Sequence, residues 1–159
     1  MRRMKALIPL LALLVLFAVT PVLAAPSVKE PFQATTLSGE TIDPGTFWLA
    51  GLWTVHLRGL EVLAPMTGDI EGVLKLTENA NMNTLVNQMN IQVKGVIYVG
   101  SDEAYLVSAN AKMTSQGLTG TFVFQGVGSC KGIHITGTVS AEPNSPVASW
   151  TGTKLITKP

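Results

Sequence analysis

A thiol–imidazole pair is the first chemistry to ask of this chain, which holds a single cysteine, Cys130, and two histidines, His56 and His134. Cys130 and His134 are four residues apart. On one strand their side chains would share a face yet stand about 13 Å apart, too far for the imidazole to take the thiol proton. His56 can approach only through the fold, and no electropositive cluster is visible that would hold a thiolate. The simpler reading of Cys130 is a small buried apolar side chain. As the only cysteine it also excludes an intramolecular disulfide.

Metal chemistry fares no better. Two histidines without a ligand-spaced carboxylate or thiolate cannot close a zinc site. Asp69 and Glu71, two apart in Thr67-Gly68-Asp69-Ile70-Glu71-Gly72, would point the same way on a strand. They fall short of the six to eight oxygens calcium takes, so a solvated hairpin is expected. Asn79, Asn81, Asn83, Asn87 and Asn90 could bond a sugar or a subunit, but turn formation accounts for them. No catalytic, cofactor-binding or metal-binding residue is assigned. Trp48, Trp53 and Trp150 read first as core residues. If the fold encloses a ligand cavity, Trp53, Phe122, Phe124 and Trp150 are the side chains to line it.

These residues sit on strands. Trp53, Val55 and Leu57 alternate with Thr54, His56 and Arg58; Ile91 and Val93 with Gln92 and Lys94; Phe122 and Phe124 with Thr121 and Val123; Ile133, Ile135 and Val139 with His134, Thr136 and Thr138. Period-2 alternation of this kind marks strands with one packed face and one wet face. Turns are expected at Pro65 to Gly68, Glu78 to Asn83, Gly100 to Asp102, Ser115 to Gly117, Gly126 to Ser129 and Glu142 to Pro146, with a single helical turn between Asn83 and Asn90. The spacing predicts an all-β protein, a single antiparallel up-and-down barrel of about eight strands, with a β-sandwich as the alternative. Residues 47–159 form that domain. Residues 25–46, with two early prolines and the turn signal Asp43-Pro44-Gly45, read as an extended N-terminal arm in which Pro31 to Thr36 can add a strand.

Residues 1–24 follow the plan of a cleavable secretion signal: Arg2, Arg3 and Lys5, a Leu-rich run, a helix-breaking Pro21, then Val22-Leu23-Ala24 ahead of the cut. Ala6 to Ala25 is also long enough for an uncleaved anchor helix, but Pro21 and the small residues favour cleavage. The expected address is secreted, periplasmic or cell-surface, with no membrane span after cleavage. The mean hydropathy of +0.35 is inflated by this segment.

Cleavage leaves 135 of the 159 residues, enough for one domain and one core. It also removes three basic residues, so eight Lys and Arg then face ten Asp and Glu, a net charge near −2. The lysines are spread singly, and no basic face exists to bind nucleic acid.

Gly126-Val127-Gly128-Ser129-Cys130-Lys131-Gly132-Ile133, followed by Gly137-Thr138-Val139, resembles the glycine-rich hairpin of the allene oxide cyclase and dirigent-like barrels. The Gly120 to Phe124 strand and Trp150-Thr151-Gly152 resemble those families too. The resemblance spans about 110 residues from Phe47 and implies an eight-stranded barrel. Val127 stands where the families have Thr, Cys130 where they have an aromatic, and two extra residues precede Gly137. No catalytic residue of theirs falls on a position of this chain.

Together these features lead to a non-enzymatic secreted β-barrel that binds a small hydrophobic ligand or assembles with other subunits through its N-terminal arm. The alternative is an isomerase or cyclase acting on a small hydrophobic molecule in a sealed barrel cavity.

Overall fold

The computed structural model describes residues 27–157, so the expected secretion signal and its expected cleavage site lie outside the described residues. Ten strands follow one another: β1 (Ser27–Leu37), β2 (Glu40–Asp43), β3 (Thr46–Leu49), β4 (Thr54–Gly68), β5 (Gly72–Asn83), β6 (Gln88–Val99), β7 (Asp102–Thr114), β8 (Gly117–Gly126), β9 (Ile133–Ala141) and β10 (Val147–Thr157). A single 3-10 turn, Gly128–Cys130, interrupts them. No helix among the described residues is long and apolar enough to cross a membrane.

All neighbours are antiparallel. From β4 to β10 each strand pairs with the next, β10 pairs with β1, and β1 returns to β4, closing an eight-stranded ring. Three residue pairs make the seam: Ala34 with Gly68, Thr35 with Thr67 and Thr36 with Met66. β2 and β3 continue past the seam along the same edge of β4, with Glu40 opposite Leu63 and Thr46 opposite Arg58. The expected barrel of about eight strands is therefore present, with two short strands added to its edge; there is no sandwich.

The expected arm needs correction. Residues 27–37 are the wall strand β1, paired with β10 along its whole length from Ser27 and Thr157 to Leu37 and Val147. The barrel wall therefore includes Ser27–Leu37, ahead of residue 47, and the strand expected within Pro31 to Thr36 is part of it. Phe32, Ala34 and Thr36 alternate into the core, and without them β10 and β4 would face each other as open edges. Pro31 is tolerated for a geometric reason. Gln33 uses its N–H and C=O toward Asp69 on the β4 side, and Pro31, two residues earlier, turns the same way where β4 has already ended. A proline's missing N–H costs nothing at such an edge.

Four turns sit where expected: between β6 and β7, between β7 and β8, between β8 and β9, where the 3-10 turn lies, and between β9 and β10. Two do not. β4 continues through Pro65 to Gly68, with Pro65 at the break between β1 and β2. β5 continues through Glu78 to Asn83, and the turn falls at residues 84–87, inside the stretch expected to hold a helical turn. Asn83 caps that turn, its Oδ1 accepting the Leu85 N–H at 3.0 Å, whereas Asn79 and Asn81 are engaged by the neighbouring strand β4. A bulge interrupts the β4–β5 register between Leu57 and Leu60. Asn79 Oδ1 accepts the Gly59 N–H at 3.0 Å, and Arg58 Nη1 donates to the Leu57 and Ala80 carbonyls, each at 2.7 Å. Gly59 itself has φ +72°, a conformation that favours glycine. The bulge is thus repaired by side chains that local turn propensity alone would place in a loop.

The ladder climbs as it circles the barrel. One row runs from Ala34 through Trp150, Val139, Gly120, Ala111, Ile91 and Ala80 to Leu57 of β4, whereas Ala34 is itself paired with Gly68, much further along β4. Such an offset is the shear that a closed barrel of tilted strands requires. Here it leaves the first half of β4 and the adjoining ends of β5, β6 and β7 projecting beyond the seam as a lip.

Candidate functional site at the barrel mouth

The interior below the lip is filled. Phe32, Phe122, Phe124 and Trp150 form one aromatic cluster, with ring centroids 4.5 Å apart for Phe122 and Phe124 and 5.2 to 6.0 Å apart for the other contacting pairs. Met66, Leu74, Ile97 and Ile135 are fully buried around it. The Trp150 indole Nε1–H donates to Thr36 Oγ1 at 3.0 Å, which satisfies both buried polar groups. Of the four side chains expected to line a cavity, Phe122, Phe124 and Trp150 are brought together here. They fill the space with one another. Trp53 is not with them: it lies just ahead of β4 and is 53% exposed. Trp48 is exposed as well, so of the three tryptophans expected in the core only Trp150 is there.

The open space lies above, between the lip and the turn joining β9 to β10. It is a cleft of about 610 Å³, within the range of small-molecule sites, about 300–1,000 Å³. Its apolar lining comes from Met82, Met89, Met113 and Leu118 on one side and Pro143 and Pro146 on the other. The first four are successive partners across β5, β6, β7 and β8: Met82 faces Met89, Met89 faces Met113, and Met113 faces Leu118. Each turns inward by alternation with a buried or core-packed neighbour, Ala80, Ile91, Ala111 and Phe122 respectively. Directly opposed side chains stand about 5 Å apart at Cβ, so the three thioethers make a continuous soft wall. Thr36 lines the same cleft, which places its hydroxyl and the indole it holds at the junction of cleft and core.

The sequence reading missed this site. The three methionines lie 7 and 24 residues apart, on strands whose register no local pattern reveals. Alternation does show that each faces inward, and that is the signal that could have grouped them.

The remaining sequence candidates are dispersed. Cys130 ends the 3-10 turn at the opposite end of the barrel, half-buried against the core. Burial pushes the neighbouring Tyr105 phenol well above its ordinary value, and the Cys130 thiol beside it adds to that shift. His134 is on the exposed face of β9. His56 stacks on Trp48 with ring centroids 5.2 Å apart, and Asn81 Oδ1 accepts from both His56 Nδ1 and Arg58 Nη2. Asp69 Oδ2 accepts the Gln33 amide hydrogen at 2.7 Å, fastening the β4–β5 turn to β1, while Glu71 stays in solvent. No group of three or more His, Cys, Asp or Glu side chains that could hold a metal occurs among the described residues.

One acid is out of the ordinary. Glu78 shares a face of β5 with the buried Leu76 and Ala80, and burial raises its carboxyl above the usual carboxylate value. Both ion pairs of the described residues, Lys75 with Glu61 and Lys154 with Glu30, lie elsewhere.

A second surface is notable for its exposure. β3 pairs only with β4, so its outer edge is free. Phe47 is 62%, Leu49 74% and Leu52 86% exposed. Thr84 donates from its backbone and its hydroxyl to the Trp53 carbonyl, which sets the exposed Leu85 and Val86 beside Trp53. Comparison of the chain with protein-family models, curated proteins and solved structures found no match.

Proposed function

We propose that this chain is a secreted, non-enzymatic β-barrel protein that binds a small apolar ligand at the open mouth of its barrel. The observation that carries the reading is the methionine wall: Met82, Met89 and Met113 in register along one side of a 610 Å³ cleft. Unbranched thioether side chains adapt to ligands of varied shape, and they are over-used at surfaces that bind several partners. Asn87, Gln88 and Ser145 add polar groups at the rim, the usual companion of an apolar pocket. Secretion rests on the signal plan of residues 1–24. The isomerase or cyclase alternative asks for a sealed cavity. An aromatic interior filled by ring contacts and a cleft open at the mouth favour binding over enclosed catalysis.

The test is titration with the neutral fluorescent probe Nile red. Wild-type protein should bind it with blue-shifted emission, and Met89→Glu should weaken binding at least tenfold while far-UV circular dichroism stays unchanged. Equal binding by the two proteins would remove the mouth as the site.

Assembly is a second reading, and it moves from the arm to β3. Residues 27–37 are spent on the barrel wall, whereas Thr46–Leu49 presents an unpaired, uncharged edge flanked by exposed apolar side chains. Edges of that kind pair with other strands unless guarded by charge or proline. The free part of β1 has such guards in Lys29, Glu30 and Pro31. Two copies joined antiparallel through β3 satisfy a two-fold axis. Sedimentation equilibrium should show a dimer that Leu49→Lys returns to monomer; a wild-type monomer at all concentrations would remove this reading.

A further inference from the structure

Resting on the mouth as the ligand site, we infer that this site continues past the cleft onto Val55 and Leu49, and that its occupant is a single unbranched hydrocarbon chain lying across the strands. The methionine wall does not stop at Met82. Met82 is paired with Val55 of β4, and Val55 with Leu49 of β3. Directly opposed residues of antiparallel strands share a face, so Leu118, Met113, Met89, Met82, Val55 and Leu49 form one unbroken apolar row over six strands. Each is the last or next-to-last residue of its strand at the mouth. Only the first four line the cleft; Val55 and Leu49 extend the row by two strands, and Leu49 is 74% exposed.

The shape of the row selects the occupant. Its six strands make five spacings of about 4.8 Å, an arc of roughly 24 Å, whereas the cleft alone spans three, roughly 14 Å. Across its width it is one side chain. The next row inward, Ala111, Ile91, Ala80 and Leu57, is buried or packed against the core, and on the other side the strands end. Residues on one face of a strand recur about every 7 Å, so the strip has the width of one extended chain, not of two side by side. It widens only at β3, where Phe47 is exposed as well. Beyond the cleft the strip is free of charge: none of residues 44–57 or 79–93 is Asp, Glu, Lys or Arg. A methylene chain needs no polar partner along its length, and covering an open apolar face contributes in proportion to the area removed from water. The row uses the inner face of β3 and leaves its outer edge free.

The experiment is displacement of Nile red from the protein by lysophosphatidylcholines with decanoyl, dodecanoyl, tetradecanoyl, hexadecanoyl and octadecanoyl chains, each below its aggregation concentration. Displacement should strengthen by about twofold with each added carbon through octadecanoyl, since a chain on an open face is buried on one side only. A chain held by the cleft alone would stop gaining at about eleven carbons. A plateau from dodecanoyl onward would therefore overturn the inference while leaving the mouth as a binding site. Leu49→Asn, which keeps β3 uncharged, should weaken the octadecanoyl lipid by threefold or more and leave the decanoyl lipid unchanged; an equal effect on both, or none on either, also overturns it. Failure of Nile red itself to bind would remove the inference and the mouth together.

Discussion

Phe32 on β1 and Phe122 on β8 hold their rings 6.0 Å apart although three strand spacings, roughly 14 Å of wall, separate their backbones. The two residues between them in the row are Gly152 and Gly137, paired with Phe32 and Phe122 respectively and with each other. Two large side chains lean across two absent ones. The same glycines let β9 and β10 approach closely, since a Cβ on Gly152 would collide with the Thr136 carbonyl and with Gly137 Cα.

Adding bulk at this row should therefore be costly. Gly152→Val inserts a branched side chain where backbone already sits and where two rings converge, so a loss of about 3 kcal/mol or more is expected, at the upper end of overpacking effects. Urea denaturation followed by tryptophan fluorescence measures it. A loss below about 1 kcal/mol would mean the glycine pair does not set the packing.

The Thr36–Trp150 bond joins β1 to β10 beneath the cleft, and Thr36→Val removes its acceptor while keeping the side chain's shape. The buried indole N–H is then unpaired, at a cost of about 1–3 kcal/mol. Thr36→Ser keeps the oxygen and should recover most of the polar part of that loss. A Thr36→Val variant as stable as the wild type would show that the hydroxyl does not matter.

Glu78 ties stability to pH. Its carboxyl titrates above 4.5 in the folded chain because burial disfavours the charge, so the folded state binds more protons than the unfolded chain across the interval above that value. Stability contributed by this group is present at lower pH and is lost as pH rises through the folded value. Glu78→Gln should raise Tm at pH 7, because it removes a carboxylate whose charge burial disfavours. The gain should shrink as pH falls toward 4.5. A gain that instead grows with acidification would show that the folded chain favours the charged carboxylate.

Much of the wall is legible in the sequence. Alternation at Ile91 and Val93, at Phe122 and Phe124, and at Ile135 and Val139 assigns those residues to the inner face, and all six are buried. The short turns after β6, β7 and β9 announce themselves through Gly, Ser, Asn and Pro. Alternation misleads at the start of β4, where Trp53 continues the pattern of Val55 and Leu57 but lies ahead of the strand, in solvent. The asparagine-rich stretch misleads in the other direction: Asn79 and Asn81 favour turns locally, yet on β5 they complete the hydrogen bonds of a bulge on β4.

The sequence by itself determined that the chain is β-rich, that one face of each strand is apolar, that no basic surface or disulfide is built in, and that residues 1–24 read as a secretion signal. These are local or compositional properties, carried by alternation of period two and by residue counts. Tertiary structure alone decided that residues 27–37 close the ring, that Phe32 meets Phe122 over paired glycines, and that three methionines on three strands line one cleft. Each depends on register between distant strands and on the shear that closure imposes. Ser27 faces Thr157 and Ala34 faces Gly68 only once the whole wall has been laid down, and no window of local sequence contains that offset.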